Sequence, residues 1–125
     1  MGSASPNPDA YPYQSEASWS GPEKTIARKV FDDALKRELQ DVIQKAKQMA
    51  GQIREPAELW DLEQYLSERR KEIDRKYDYR YSRLAQVFGR LLYENRVSEE
   101  ELRGLSDDKL KLIHSAAEFM AKYAA

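Results

Sequence analysis

A single apolar stripe, continued through about eight helical turns, constrains the fold of this chain more than any other feature. Its residues recur at steps of three and four positions, and from Leu35 to Ile53 they come close to a heptad seam. The stripe consists of Ile26, Val30, Ala34, Leu35, Leu39, Val42, Ala46, Met49 and Ile53. A helix with so long an apolar stripe needs an equally long partner surface to bury it.

The ends of this first helix are marked by residues with known capping chemistry. Ser20 followed by Glu23 fits a capping box, and Pro22 suits the first turn, where its missing N–H costs nothing. Pro56 ends the helix and can open the next one, because proline is tolerated in a first turn.

A second long helix is predicted from about Ala57 to Glu94, with neither Gly nor Pro before Gly89. At about 100° per residue its apolar positions fall within a sector of roughly 80°. They are Leu59, Leu62, Leu66, Ile73, Tyr77, Leu84, Phe88 and Leu91. Two long helices with a tight link predict an antiparallel hairpin. Two helices alone cannot cover both stripes, so we expect dimerisation into a four-helix arrangement.

The pattern changes after the hairpin and predicts a small helical head over residues 95–125. Ser98 followed by Glu101 is a second capping box opening a short helix, and Gly104 suits its C-cap. Ser106 begins a last helix, whose apolar face carries Leu110, Ile113, Ala117 and Met120. The predicted fold class is therefore all-α, with a hairpin over residues 20–94 followed by the head.

Residues 1–19 are rich in Ser, Pro, Ala and Asn and show no apolar periodicity. This composition predicts a disordered leader. Its aromatic residues Tyr11, Tyr13 and Trp19 are interpreted as scattered side chains in a flexible tail, with a short docking motif as the alternative.

Composition excludes several classes of protein. Charged residues make up 34% of the chain, but the formal net charge is only −1, so no strong attraction to nucleic acid or anionic membranes is expected. The absence of cysteine excludes disulfides, thiolate zinc sites and cysteine nucleophiles. No apolar run approaches the roughly 18 residues of a membrane span, and we expect a cytoplasmic protein without membrane insertion.

The sequence also gives little sign of a catalytic site. His114 is the only histidine, and it lies in a short amphipathic helix with no nucleophile-elbow sequence around it. Carboxylates such as Glu68 and Glu72 stand near Lys or Arg at helical spacing, as in solvated ion-pair faces. No Gly-rich phosphate loop occurs. The chain is therefore predicted to act by binding a partner protein, with no catalytic residue, no metal and no cofactor.

Trp60 is the residue that most suggests such a binding role. It lies about 120° of helical rotation away from the stripe of Leu59 and Leu62. Tryptophan and arginine are the usual anchors of binding hot spots, and Arg70 follows almost three turns later, toward the same flank. The alternative is that Trp60 packs against the first helix or a dimer mate.

From Glu58 the sequence reads ELWDLEQYLSERRKEIDRKYDYRYS, followed by VFGRLL and, in the head, the EEL of Glu100 to Leu102. This resembles the cyanobacterial fluorescence recovery protein family, from about Trp19 to Ile113. Members of that family are helical dimers that bind the C-terminal domain of the photoactivated orange carotenoid protein. The resemblance implies that the chain accelerates the return of that protein from its red to its orange form, ending photoprotective quenching, and that the carotenoid belongs to the partner.

The resemblance also assigns roles to single residues. Trp60 matches the family's functional tryptophan, Arg70 its functional arginine and Leu59 a leucine of the dimer interface. The chain departs from the family at two positions, because Glu63 and Gln64 stand where a His-Asp pair is typical. Glu63 and Gln64 are therefore expected to alter the partner-binding surface. The alternative is a divergent helical adaptor that kept the fold and acts on a different protein.

Overall fold

The computed structural model describes residues 16–124, and the regular elements in that range are all helical. They are α1 (Gly21–Gly51), α2 (Pro56–Lys76), α3 (Leu84–Tyr93) and α4 (Asp107–Tyr123), with short 3-10 turns at Glu16–Ser18 and Glu100–Leu102. This confirms the predicted all-α class. The predictions that concern Tyr11 and Tyr13 fall outside the described residues.

The start of α1 is held by the predicted capping box, which is joined to the start of α4. The Glu23 N–H donates to Ser20 Oγ at 3.2 Å, and the Ser20 N–H donates to Glu23 Oε1 at 3.0 Å. The second carboxylate oxygen of Glu23 accepts the N–H of Ser106, the N-cap residue of α4, at 2.9 Å. One buried carboxylate therefore fixes the starts of two helices.

Helices α1 and α2 form the predicted hairpin. Glu55 and Glu58 make a capping box at the start of α2, where the Glu55 N–H donates to Glu58 Oε1 at 2.7 Å. Farther along, Arg69 of α2 reaches back to Glu38 of α1 at 2.8 Å, as an antiparallel arrangement requires. We call residues 39–72, the outer part of this hairpin, the hairpin arm.

The remaining described residues, 16–38 and 73–124, form the core end of the molecule. Its largest fully buried apolar side chains come from α3, α4 and the turn between them: Leu84, Phe88, Leu91, Leu102 and Ile113. Helix α3 lies close against α4 at Gly89, because a Cβ added there would stand 2.7 Å from the Ile113 carbonyl oxygen. The first half of α1 covers the other side of this core with Ala27, Val30, Phe31 and Ala34.

The prediction of one helix from Ala57 to Glu94 is wrong. Helix α2 ends at Lys76, and α3 begins only at Leu84. Between them Tyr77, Tyr79 and Tyr81 alternate along the chain and all pack against the core. In a continuous helix Tyr77 and Tyr81 would share one face, but Tyr79 would point about 160° away from both. Burying all three together therefore requires a non-helical segment.

The assignment of Trp19 to a disordered leader is also wrong. Its side chain is buried, and its ring centroid lies 5.6 Å from that of Tyr81. The ammonium of Lys109 lies 4.9 Å from the centre of the Trp19 ring. The folded core therefore starts before α1, because burying a tryptophan removes a large apolar area from water.

The predicted C-cap glycine of the head is confirmed at Gly104. Its φ of +104° lies in the region that favours glycine, and a Cβ there would stand 2.6 Å from Ile26 Cδ1. The capping box before it is confirmed as well, since the Ser98 N–H donates to Glu101 Oε1 at 3.0 Å and the Glu101 N–H to Ser98 Oγ at 3.2 Å.

Candidate partner-binding face

The four residues predicted to bind a partner lie on one outward face of α2. Trp60, Glu63, Gln64 and Arg70 are all exposed, and at about 100° per residue they span a sector of roughly 120°. Ten positions separate the first from the last, which corresponds to about 15 Å along the helix axis. We call this surface the Trp60 face.

Trp60 is 64% exposed. Packing of its indole against α1, one of the alternatives left open by the sequence, is therefore wrong for the single chain. A side chain of this size left in water is unusual, and its apolar surface is available to a second protein.

The polar residues of the Trp60 face differ in how they are held. Glu63 accepts a hydrogen bond from Ser67 Oγ at 2.8 Å, and Gln64 Nε2 donates to Glu68 Oε2 at 3.3 Å. Arg70 forms no hydrogen bond or ion pair with the described residues. Its guanidinium is therefore free to pair with an acceptor on another molecule, while Glu63 and Gln64 are oriented along their own helix.

An uncovered apolar row runs beside the Trp60 face. Leu59 is 47% exposed and Leu66 is 40% exposed, and Leu39 and Ile43 of α1 are each 42% exposed. No residue of the hairpin arm is buried. By helical rotation Arg70 lies between this row and Trp60, and Trp60 is about 100° away from Leu59.

The Trp60 face is positioned by a buried ionic cluster where the arm meets the core end. Glu38 of α1 is 1% exposed, and its carboxylate accepts hydrogen bonds from Lys76 Nζ at 2.7 Å and from Tyr77 Oη at 2.8 Å. Arg69 and Arg96 pair with it at 2.8 and 3.2 Å. Helix α2 is thereby tied to α1 and to the loop after α3.

The hydrogen bonds of this cluster keep Glu38 ionised. Burial alone would raise the pKa of the Glu38 carboxyl, but hydrogen bonds from Lys76, Arg69 and Tyr77 outweigh it and lower that pKa from 4.5 to about 2. Burial and the neighbouring carboxylate raise the pKa of the Tyr77 phenol, so Tyr77 remains a neutral donor. The end of α2 is consequently held by charge at neutral pH.

Sequence patterns alone do not identify Glu38 as a buried residue or Tyr77 as its hydrogen-bond donor. Glu38 lies next to the apolar stripe, and an acidic residue there looks like an ordinary solvated position. A signal for the segment at Tyr77 did exist, because the alternation Tyr77, Tyr79, Tyr81 has the period of extended chain rather than of helix.

The described residues contain no group of His, Asp or Glu side chains arranged to hold a metal ion. His114 lies at the surface, where its Nε2 is 2.8 Å from Glu99 Oε1. Within residues 16–124 no helix is long and apolar enough to cross a membrane.

Comparison with known proteins agrees with this helical architecture. A curated relative, the fluorescence recovery protein of Synechocystis sp., is 41% identical over 102 residues, which cover 82% of this chain and 94% of the relative. The solved structure of the Fremyella diplosiphon fluorescence recovery protein has 41% identity and a TM-score of 0.76, covering 80% of this chain and 98% of that one. The solved Synechocystis structure has 40% identity and a TM-score of 0.77 over the same shares of the two chains.

The sequence profile described as photoprotection regulator fluorescence recovery protein matches residues 19–117. This range begins at the buried Trp19 and includes the whole hairpin, the Trp60 face and most of α4. The chain therefore belongs to the fluorescence recovery protein family of photoprotection regulators.

Proposed function

We propose that this chain binds the C-terminal domain of photoactivated orange carotenoid protein in the cytoplasm and accelerates its reversion from the red to the orange form. The observation that carries the proposal is the exposure of Trp60, 64%, on a helix anchored at its other end by the Glu38 cluster. An exposed tryptophan with a free arginine about 15 Å farther along the same face is suited to protein recognition. The role is regulatory and non-enzymatic, and ends photoprotective quenching.

The proposed mechanism is a shift of populations. A binder speeds reversion only if it interacts more favourably with an orange-like or intermediate arrangement of the partner than with the red one. A residue such as Trp60 would supply that preference if its pocket on the partner is complete only in the favoured arrangement. The carotenoid stays on the partner, so the chain itself needs no cofactor.

We further propose that the chain acts as a homodimer through the apolar row. Leu59, Leu66, Leu39 and Ile43 are between 40% and 47% exposed in the single chain, and a second copy would remove them from water. Because Trp60 lies beyond the row, two copies paired in this way would each keep a Trp60 face available.

The central test measures the dark recovery rate of photoactivated orange carotenoid protein with and without this chain. We expect acceleration by the wild type and loss of that acceleration with Trp60→Ala. The matched control is Phe119→Ala, because Phe119 is 62% exposed but lies on α4, away from the Trp60 face. No acceleration by the wild type, or equal losses in both variants, would contradict the proposal.

Glu63 and Gln64 favour a second candidate, a helical adaptor for a different protein. The double substitution Glu63→His with Gln64→Asp restores the pair typical of the family. If these positions alter preference for the carotenoid protein, the double variant should bind that protein more tightly than the wild type. Equal binding by the double variant and the wild type would show that Glu63 and Gln64 do not set this preference. A wild type that neither binds the carotenoid protein nor accelerates its reversion would favour the adaptor.

The dimer is tested by sedimentation of the wild type and of Leu59→Asp, with Asp61→Ala as an exposed control next to it. A charge at the apolar row should shift the equilibrium toward monomer, since an unpaired carboxylate is costly to bury. A wild type that sediments as a fully helical monomer would contradict the dimer.

A further inference from the structure

A groove rich in arginine lies at the break between α2 and α3, on a part of the surface that the proposed partner binding does not use. It has a volume of about 310 Å³ and is lined mainly by arginine side chains. These are Arg75 of α2, Arg80 and Arg83 of the linker, and Arg90 of α3. Arg83 is the N-cap residue of α3 and precedes Arg90 by seven positions, which places the two on the same side of the helix. A volume of this size is at the lower end of small-ligand sites.

Three of the cations in this groove already have carboxylate partners. Lys76 pairs with Glu38 at 2.6 Å and with Glu94 at 2.8 Å. Arg90 pairs with Glu94 at 3.0 Å. Arg80 pairs with Asp78 at 2.6 Å, and Asp78 is the sole carboxylate among the residues that line the groove. These pairs are satisfied within the protein and leave little charge for a ligand.

The other two cations, Arg75 and Arg83, form no ion pair with any residue between 16 and 124. Arg75 makes no polar contact in that range, and Arg83 only donates a 3.3 Å hydrogen bond to Gln86. Both side chains are exposed at the groove. The groove therefore holds two guanidinium charges that belong to no ion pair of the described protein, although the chain as a whole has a net charge of −1. Asp78 is the nearby carboxylate, since its pKa is lowered by the hydrogen bond from Arg80 and also by the charge of Arg83.

We propose that this groove binds the phosphate group of a small phosphorylated solute or of free inorganic phosphate. Two guanidinium groups that form no ion pair match a dianion, and a phosphate carries about −1.5 to −2 charges at neutral pH, whereas a carboxylate carries one. The planar fork of arginine also fits phosphate oxygens with two parallel hydrogen bonds. This site is independent of the Trp60 face.

The anion in this groove would be held by arginine side chains and not by helix dipoles. The C-terminal end of α2 and the N-terminal end of α3 both meet at the groove, and their dipoles act on an anion in opposite directions. The fold itself supplies the proximity, because in a continuous helix Arg75 and Arg90 would be about 22 Å apart.

The test is a titration of the isotopically labelled full chain with inorganic phosphate, followed by NMR at constant ionic strength set with chloride. We expect saturable shifts at the side-chain N–H groups of Arg75 and Arg83. The double substitution Arg75→Gln with Arg83→Gln should weaken phosphate binding by at least about tenfold, as expected for losing charge-assisted hydrogen bonds. The exposed Arg103→Gln, outside the groove, should change it by less than about twofold.

Two further experiments distinguish a specific phosphate site from general attraction to anions. Asp78→Asn removes the carboxylate that competes inside the groove, so it should tighten phosphate binding. Acetate, a monoanion, should bind more weakly than phosphate under the same conditions. Glucose 6-phosphate binding more tightly than inorganic phosphate would assign the site to a phosphorylated solute, and the reverse would assign it to the free ion.

Three results would overturn the proposal. They are non-saturable shifts with phosphate, unchanged phosphate affinity in the double variant, and acetate binding as tight as phosphate. Both substituted arginines are exposed, and an unchanged circular dichroism spectrum would establish that a loss of binding is not a loss of folding.

Discussion

The core end and the hairpin arm are both helical and both carry apolar side chains, but they differ in whether those side chains are buried. Every side chain that the described chain buries lies in the core end, where Leu84, Phe88 and Ile113 are fully removed from water. In the arm no residue is buried, and Leu59 and Leu66 remain 47% and 40% exposed. The core end therefore stabilises the single chain, whereas the arm keeps apolar surface available for other molecules.

The Glu38 cluster lies at the boundary between these two regions and gives the largest expected effect. Glu38→Gln should lower the free energy of unfolding by roughly 3 kcal/mol. The buried Lys76 would keep only Glu94 as a carboxylate partner among the described residues, and Arg69 and Arg96 would each lose an ion pair with Glu38. Glu63→Gln in the arm is the control and should change it by less than about 0.5 kcal/mol. Chemical denaturation of the two variants measures the difference, and equal small effects would show that the cluster does not stabilise the boundary.

Acid should weaken the core end through the same carboxylate. The pKa of Glu38 is about 2 in the folded chain against an ordinary value of 4.5, so the stability it contributes is present above pH 4.5. That contribution, on the order of 3 kcal/mol, is lost as pH falls toward 2. Denaturation at a series of pH values should show a smaller loss for Glu38→Gln than for the wild type over this window; parallel curves would contradict the assignment.

A smaller effect is expected from packing between α3 and α4. Gly89→Ala should destabilise the chain by about 1–3 kcal/mol, because its Cβ would enter the space of the Ile113 carbonyl. The matched control is Gly51→Ala at the end of the arm, where an added Cβ meets nothing within 4 Å. Thermal unfolding should show a clear loss of stability only for Gly89→Ala. An equal loss for Gly51→Ala would contradict a packing cause.

The smallest effect on stability should come from the Trp60 face. Because Trp60 is 64% exposed, Trp60→Ala is expected to change the free energy of unfolding by less than about 0.5 kcal/mol. Equilibrium denaturation tests this alongside the recovery assay. A large loss of stability would mean that the indole is buried in the working protein, for example at the contact between two copies.

Much of this architecture follows from local sequence. Ser20 with Glu23 and Ser98 with Glu101 form the capping boxes expected of them, and Gly104 has the positive φ expected of a C-cap. These motifs can be recognised because their hydrogen bonds join residues three positions apart. Helical periodicity gives the outward position of Trp60 as one of two alternatives, and only the tertiary structure excludes contact of its indole with α1 in the single chain.

Contacts between residues far apart in the chain cannot be predicted from such local motifs. The absence of Gly and Pro permits a continuous helix through Tyr77, but burial of Tyr77, Tyr79 and Tyr81 against the core outweighs it. Glu38 reaches Lys76 across 38 positions, and no local pattern identifies that pair. The arginine groove exists because the same break brings the end of α2 and one face of α3 together.

The sequence by itself therefore determined the helical class, the helix caps and the amphipathic faces, since each depends on neighbours within one or two turns. Tertiary structure decided where the second helix breaks, that Trp19 belongs to the core and that Glu38 holds the arm. These outcomes depend on which side chains are buried together, and burial is a property of the folded chain rather than of any short segment.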